Sequence, residues 1–228
     1  MNVAIIVAGG KGTRFGGHRP KQFLEINGTP IIVHTLRQFE HAQEIDRVVV
    51  AVPAEEVNTF RSVVEESRLE KVSQVVAGGD TRAQSVKCGL ASIEAAHLVA
   101  VHDAVRPLVT PEEIDQVVLA ANNSGAAILV APVSDTIKEA DHNRILRTVA
   151  RAQLRRALTP QCFRFDILKR AYADLEEIES LRIDVTDDSF LVERLGVPIT
   201  IVKGSARNIK ITNQEDLAVA KTLLKSSF

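Results

Sequence analysis

The feature that most constrains this chain is its repeated alternation of short, unbroken apolar runs with longer amphipathic stretches. The runs at 3–7, 47–52, 98–101, 126–131 and 199–202 are rich in β-branched residues, continuous rather than alternating, and bounded by turn residues. Strands of that kind are covered on both faces, which predicts a mostly parallel sheet between layers of helix. Helical periodicity fills the intervals 30–40, 54–66, 82–96, 111–122, 163–175 and 213–224. Thr110 before Pro111-Glu112-Glu113 supplies an N-cap, a first-turn proline and acids at the positive helix end. The sum is an α/β order, and 228 residues suit one large domain, 1–228, with a core that needs no staples.

Composition narrows the function classes. At 45% hydrophobic and 25% charged residues the chain is an ordinary folding sequence. A net charge of −1, no Trp and one Tyr give neither a polyanion-binding surface nor stacking platforms for nucleic acid. Cys88 and Cys162 are far apart and form no CxxC, so neither a disulfide framework nor a zinc site is expected, and a reducing cytoplasm suits them. The start lacks a basic leader and reads as a strand, and no run approaches the ~18 apolar residues of a membrane helix.

One segment breaks the rhythm. Residues 134–151 hold two short alternating stretches around Asp141-His142-Asn143 and predict a β-hairpin inserted into the α/β pattern. A hairpin with no covering layer is marginal alone, so it is expected to pack on something, such as another subunit.

The chemistry concentrates in loops that follow strands. After the first run comes Ala8-Gly9-Gly10-Lys11-Gly12-Thr13-Arg14, then Arg19-Pro20-Lys21-Gln22. A Walker A loop needs Ser or Thr after Gly-Lys, and Gly12 stands there. A GxGxxG fingerprint from Gly10 needs Gly or Ala at 15 and finds Phe15. What remains is a glycine loop carrying Lys11, Arg14, Arg19 and Lys21, which is either a solvated surface loop or a triphosphate site with cations aimed at developing charge. The run at 98–101 leads into His102-Asp103-Ala104-Val105-Arg106-Pro107. Asp103 there is either a Mg²⁺ ligand beside phosphates or a turn cap, and His102 alone reads as a satisfied structural histidine. Gly78-Gly79-Asp80-Thr81-Arg82 is a glycine turn entering a helix, and equally an N-cap. Thr186-Asp187-Asp188 and Asn208-Ile209-Lys210-Ile211-Thr212 are unremarkable singly. No Ser-His-Asp or HxxxH pattern supports acyl transfer or zinc hydrolysis.

In order, these motifs resemble the 2-C-methyl-D-erythritol 4-phosphate cytidylyltransferase family over essentially the whole chain, together with Asp135-Thr136-Ile137-Lys138, Thr148-Val149-Ala150-Arg151 and Ala157-Leu158-Thr159-Pro160-Gln161. The resemblance implies a single Rossmann-like, glycosyltransferase-A-like three-layer domain with an inserted β-hairpin arm. It implies transfer of CMP from CTP to the methylerythritol phosphate with release of pyrophosphate, Mg²⁺ as cofactor, and a cytoplasmic homodimer joined through the 134–151 arm. By the same resemblance Arg14 and Lys21 stabilise the transition state. Ala8, Gly9, Gly10, Gly12, Gly79, Asp80, Arg82, Ser85, Asp103 and Ala104 line the CTP pocket. Arg106, Thr136, Arg151, Thr159, Thr186 and Lys210 hold the acceptor. The Gly9-Gly10 pair is shared with ribitol-5-phosphate cytidylyltransferases and sugar nucleotidyltransferases, and Ala150 replaces an Asp often found before the arginine. The stretches 157–161 and 186–210 side with the erythritol enzymes. A ribitol 5-phosphate acceptor and a non-catalytic nucleotide-binding module are the alternatives.

Overall fold

A computed structural model describes residues 1–9 and 21–225, with Lys21 described for its backbone alone. Its frame is a seven-stranded sheet in the order β11-β7-β10-β6-β1-β4-β5. The strands are β1 (Asn2–Val7), β4 (Arg47–Val52), β5 (Val72–Ala77), β6 (Leu98–Asp103), β7 (Ala126–Pro132), β10 (Arg155–Arg164) and β11 (Thr200–Lys203). Strands β2 (Glu25–Ile26) and β3 (Thr29–Pro30) form a separate small ribbon. All neighbours in the main sheet are parallel except β10, which runs antiparallel between β6 and β7.

Continuous apolar strands serve two cores because successive side chains point to opposite faces. Ala4 and Ile6 of β1 enter one core with α1 (Ile31–His41), α2 (Val57–Glu66) and α4 (Pro111–Ser124). Val3, Ile5 and Val7 enter the other with α3 (Arg82–Ala91), α5 (Phe165–Ala171), α6 (Leu175–Ser180) and α7 (Asp188–Glu193). A smaller cluster seats α8 (Gln214–Lys225) through Leu217 and Ala220 on Ile31, Val105 and Ile211. The expected three-layer α/β fold is what forms.

Two strands differ from the sequence reading. The edge strand β5 follows a charged run and buries only Val75, so its pattern is not the continuous one of a central strand. Strand β10 carries Arg155, Arg156, Thr159 and Pro160, and a register break between Ala157 and Gln161 interrupts its ladder with β7. Phe163, expected to open a helix, lies near the end of β10 instead, and α5 begins at Phe165. Helix α3 stops at Ala91 rather than continuing to 96.

The hairpin is present as β8 (Ile137–Asp141) and β9 (Arg144–Val149), turning at His142 with φ 48°. Among the described residues these strands pair only with each other. Ile145 and Leu146 stand out from the arm into solvent.

Candidate active site

In-register pairing of β1 with β6 sets Val7 beside Asp103, so the loops after both strands open at one carboxyl-end edge, where open α/β sheets take their ligands. Ala8 is buried there, with its N–H on Ala51 O and its carbonyl accepting from the Gln22 side chain at 2.5 Å. Ala104 is likewise buried, donating to Val7 O and accepting from the Thr35 hydroxyl.

The glycine turn at 78–79 is fixed by close approach. Ser85 Oγ accepts from Gly79 N–H and donates to backbone carbonyls of Gly79 and Thr81. A Cβ on Gly9 would lie 2.4 Å from that oxygen, and one on Gly78 2.7 Å. Gly9, Gly78, Gly79 and Ser85 therefore form one tight cradle at the entrance of α3. Thr81 caps the helix by accepting from Gln84 N–H, and Gln84 Oε1 accepts from Asp80 N–H.

The centre of the edge is Asp103. Its Oδ1 lies 2.8 Å from Arg82 Nε, and its Oδ2 lies 3.1 Å from Arg106 Nε and 3.0 Å from Lys210 Nζ. Burial alone would push this carboxyl up, but Arg82, Lys210 and Arg106 outweigh it and hold the group well below the usual carboxylate range. Arg82 is tied in turn to Asp188 at 2.8 Å, and Asp188 accepts from the Tyr172 hydroxyl at 2.5 Å. Burial opposes the Arg82 charge, yet the carboxylates of Asp188 and Asp103 raise it well above its ordinary value. Burial, reinforced by Asp188, pushes the Tyr172 hydroxyl well up, so it stays a donor. Arg82 and Asp103 face a cavity of ≈ 200 Å³ that Arg106, Thr159, Thr186 and Lys210 also line, with Asp188 and Tyr172 behind it. The Lys210 side chain is the most open of the cations on Asp103, at 38% exposure against 7% for the Asp103 side chain.

Backbone ties hold the loop that carries Lys210. Glu113 of α4 accepts from Thr110 N–H in a capping box and from Ser205 N–H with its other oxygen. Asn208 O accepts from Arg106 Nη1 at 2.9 Å, and Ile211 N–H bonds Val105 O.

Three cations on one carboxylate are a poor fit to a resident metal at Asp103. Both of its oxygens are engaged by positive groups, and among the described residues no group of three or more His, Cys, Asp or Glu is placed to hold an ion. In this structure Asp103 is an anion that gathers three cations.

Other expected residues lie elsewhere. Gly10, Gly12 and Arg14 lie outside the described residues, as does the Lys21 side chain; Lys21 opens the short 3-10 turn Lys21–Phe23. Thr136 and Arg151 stand at the base of the arm and do not line the Asp103 cavity. Arg151 donates to Ser134 O and lines a separate cavity of ≈ 600 Å³ with Arg155, Ile201 and Lys203. Sequence reading missed Asp188, Tyr172 and Gln161. Gln161 joins Asp187 Oδ2 to Ser189 N–H and so locks the Thr186-Asp187-Asp188 turn. For Gln161 and Asp188 the only prior signal was membership of ordered motifs, and for Tyr172 there was none.

Known proteins resemble this chain over its length. Residues 2–226 match the family model described as IspD, 2-C-methyl-D-erythritol 4-phosphate cytidylyltransferase. A protein of that name from Acidobacterium capsulatum is 41% identical, covering 99% of this chain and 98% of its own. Another from Pelotomaculum thermopropionicum is 42% identical over 98% and 94%. The crystal structure of 2-C-methyl-D-erythritol 4-phosphate cytidylyltransferase from Thermus thermophilus superposes with a TM-score of 0.79 at 31% identity, covering 97% and 98%. That of 4-diphosphocytidyl-2C-methyl-D-erythritol synthase from Anaerococcus prevotii gives 0.84 at 28%, covering 98% and 96%.

Proposed function

The chain belongs to the 2-C-methyl-D-erythritol 4-phosphate cytidylyltransferase family, and from that premise we propose how its residues divide the reaction. The enzyme transfers CMP from CTP to 2-C-methyl-D-erythritol 4-phosphate in the non-mevalonate isoprenoid pathway.

The acceptor phosphate has its second pKa near 6, so at neutral pH it is largely a dianion and already a nucleophile. Its oxygen forms a bond to the α-phosphorus of CTP while the bond from that phosphorus to the β-phosphate bridge oxygen breaks, and pyrophosphate leaves with the electron pair. No general base is required, only charge neutralisation and in-line placement. A site with many cations and a buried, unreactive histidine fits that demand.

In this reading Ala8, Gly9, Gly10, Gly12, Gly79, Asp80, Ser85 and Ala104 cradle CTP, and a divalent cation, Mg²⁺ in the simplest case, would supply further charge neutralisation there. Arg14 and Lys21 meet the charge that develops at the α-phosphate. Arg106, Thr186 and Lys210, organised by Asp103 and Arg82, receive the acceptor. Arg151 and Thr136 serve the acceptor of a partner's site, through a homodimer built on the arm, in a cytoplasmic enzyme. The single domain spans 1–228.

The observation that carries this reading is the Asp103 carboxylate gathering Arg82, Arg106 and Lys210 on the wall of one cavity at the sheet's carboxyl edge. Pyrophosphate release measured with the methylerythritol phosphate, ribitol 5-phosphate and a sugar 1-phosphate tests it. Turnover should be fastest with the first, and Lys210→Ala should raise its KM. Equal turnover on ribitol 5-phosphate, or CTP binding with no turnover on any acceptor, would overturn it.

A further inference from the structure

The turn that enters α3 is gripped by a side chain of α6. Glu179 Oε1 lies 2.8 Å from the Thr81 hydroxyl, and Glu179 Oε2 lies 2.7 Å from Gln84 Nε2. A carboxylate only accepts, so the hydroxyl and the amide nitrogen both donate to it. Those two donations fix what each partner has left. Thr81 gives its one proton to Glu179, so its oxygen meets Gln84 N–H at 3.0 Å as the cap acceptor. Gln84 aims Nε2 at Glu179, so its Oε1 is turned to Asp80 N–H, also at 3.0 Å. The same side chain closes over the turn, since a Cβ on Gly79 would lie 2.4 Å from Gln84 Cβ. With Gly78 N–H on Val52 O and Gly79 N–H on Ser85 Oγ, every backbone donor of 78–80 has a partner inside the protein. One turn further along, Glu176 Oε1 pairs with Lys87 Nζ at 2.5 Å and ties the same two helices together.

We infer that Glu179 is a positioning residue for the nucleotide, holding Gln84 and Thr81 so that the 79–81 turn keeps the shape CTP meets. The inference rests on the reading above in which Gly79, Asp80 and Ser85 cradle CTP. Glu179 does not line the Asp103 cavity, and its effect passes through Gln84. A carboxylate suits the task because its two oxygens take a hydroxyl and an amide at once. Glu179 and Gln84 are both half-buried, so water competes less for their bond than on an open surface. The exposed Glu176–Lys87 pair supplies a matched control, since it joins α6 to α3 without reaching the turn.

The test is kinetic, with pyrophosphate release as the readout. Glu179→Ala should raise the CTP KM about fivefold, the scale of one lost hydrogen bond, with kcat and the acceptor KM near wild type. Glu176→Ala should leave the CTP KM unchanged, although it cuts a tie between the same helices. KM does not depend on the amount of active enzyme, so a loss of folded protein cannot mimic the shift. Equal CTP KM values in the two variants would reduce Glu179 to a fastener of α6, and the inference would fail. Gln84→Ala should raise the CTP KM as well, and adding Glu179→Ala to it should raise it little further, because both lesions cut one relay. Losses that multiply would show Glu179 acting by a route other than Gln84 and would overturn the inference. Failure of the CTP reading is separate. Gly79→Ala forces a methyl against Gln84 inside the turn itself, and an unchanged CTP KM in that variant would show that the turn does not hold the nucleotide.

Discussion

At the scale of residues, the site is a set of charges kept apart from titration at working pH. Asp103 is held ionised by Arg82, Lys210 and Arg106, while His102, one residue away, is held neutral by burial. His102 has a stability consequence whose sign is fixed. Its folded pKa of about 3 lies below the ordinary 6.5, so in that interval the unfolded chain binds a proton that the folded chain refuses. Stability should therefore fall as pH drops below 6.5, by up to about 1.4 kcal/mol per unit. Asp103 adds its own loss only at lower pH, once protons reach its unfolded carboxyl near 3.8. Urea midpoints at pH 7.5 and 5.5 check this: wild type should lose more than His102→Asn, and equal losses would deny the buried neutral imidazole. A second prediction concerns Lys21. Removing a cation that serves mainly the transition state should cost about 3 kcal/mol or more in the barrier, so Lys21→Ala should lower kcat by roughly a hundredfold or more and leave CTP affinity near wild type. A raised CTP KM with normal kcat would assign Lys21 to binding instead.

At the scale of elements, close packing at glycines decides what α3 can tolerate. A Cβ at Gly89 would lie 2.8 Å from Ile5 Cγ2, where the helix crosses β1. Ala is the better helix former by about 1 kcal/mol, but forcing a methyl into a filled core costs about 1–3 kcal/mol. Gly89→Ala should then be net destabilising, read as a lowered denaturation midpoint; a raised midpoint would show that Ile5 yields. The same physics explains what could be read from the chain. Central strands such as β1 and β6 are legible because burial on both faces requires unbroken apolar runs. The hairpin arm is legible because its two faces alternate and Asp141-His142-Asn143 accepts a turn. β5 and β10 are not legible, since an edge strand needs little apolar surface and a proline inside a ladder argues against one. The cavity followed the motifs as far as Arg82, Asp103, Arg106 and Lys210 were concerned. Asp188, Tyr172 and Gln161 escaped because a buried polar network leaves no periodic trace, and Asp188 declares itself only by meeting Arg82 across the fold.

At the scale of the whole molecule, the decisive geometry is the separation of the arm's base from the Asp103 cavity within one chain. Lys210 lines that cavity, whereas Arg151 lines another beside β7 and β11. If one acceptor phosphate needs both cations, as proposed above, a symmetric dimer would complete the site, with the arm of one chain reaching the sheet edge of its partner. The arm fits that task, since among the described residues its strands pair only with each other and leave Ile145 and Leu146 exposed. Arg151→Ala and Lys210→Ala homodimers should each be nearly inactive, because each leaves the acceptor with fewer cations. Co-refolding the two places both lesions of a mixed dimer in one site and leaves its other site intact. Random assortment makes about half the dimers mixed, so roughly a quarter of wild-type activity should return. Native mass spectrometry on the refolded sample would count the mixed dimers directly. If they form and stay as inactive as their parents, Arg151 and Lys210 serve the same chain's site, and the arm has some other purpose than catalysis in trans.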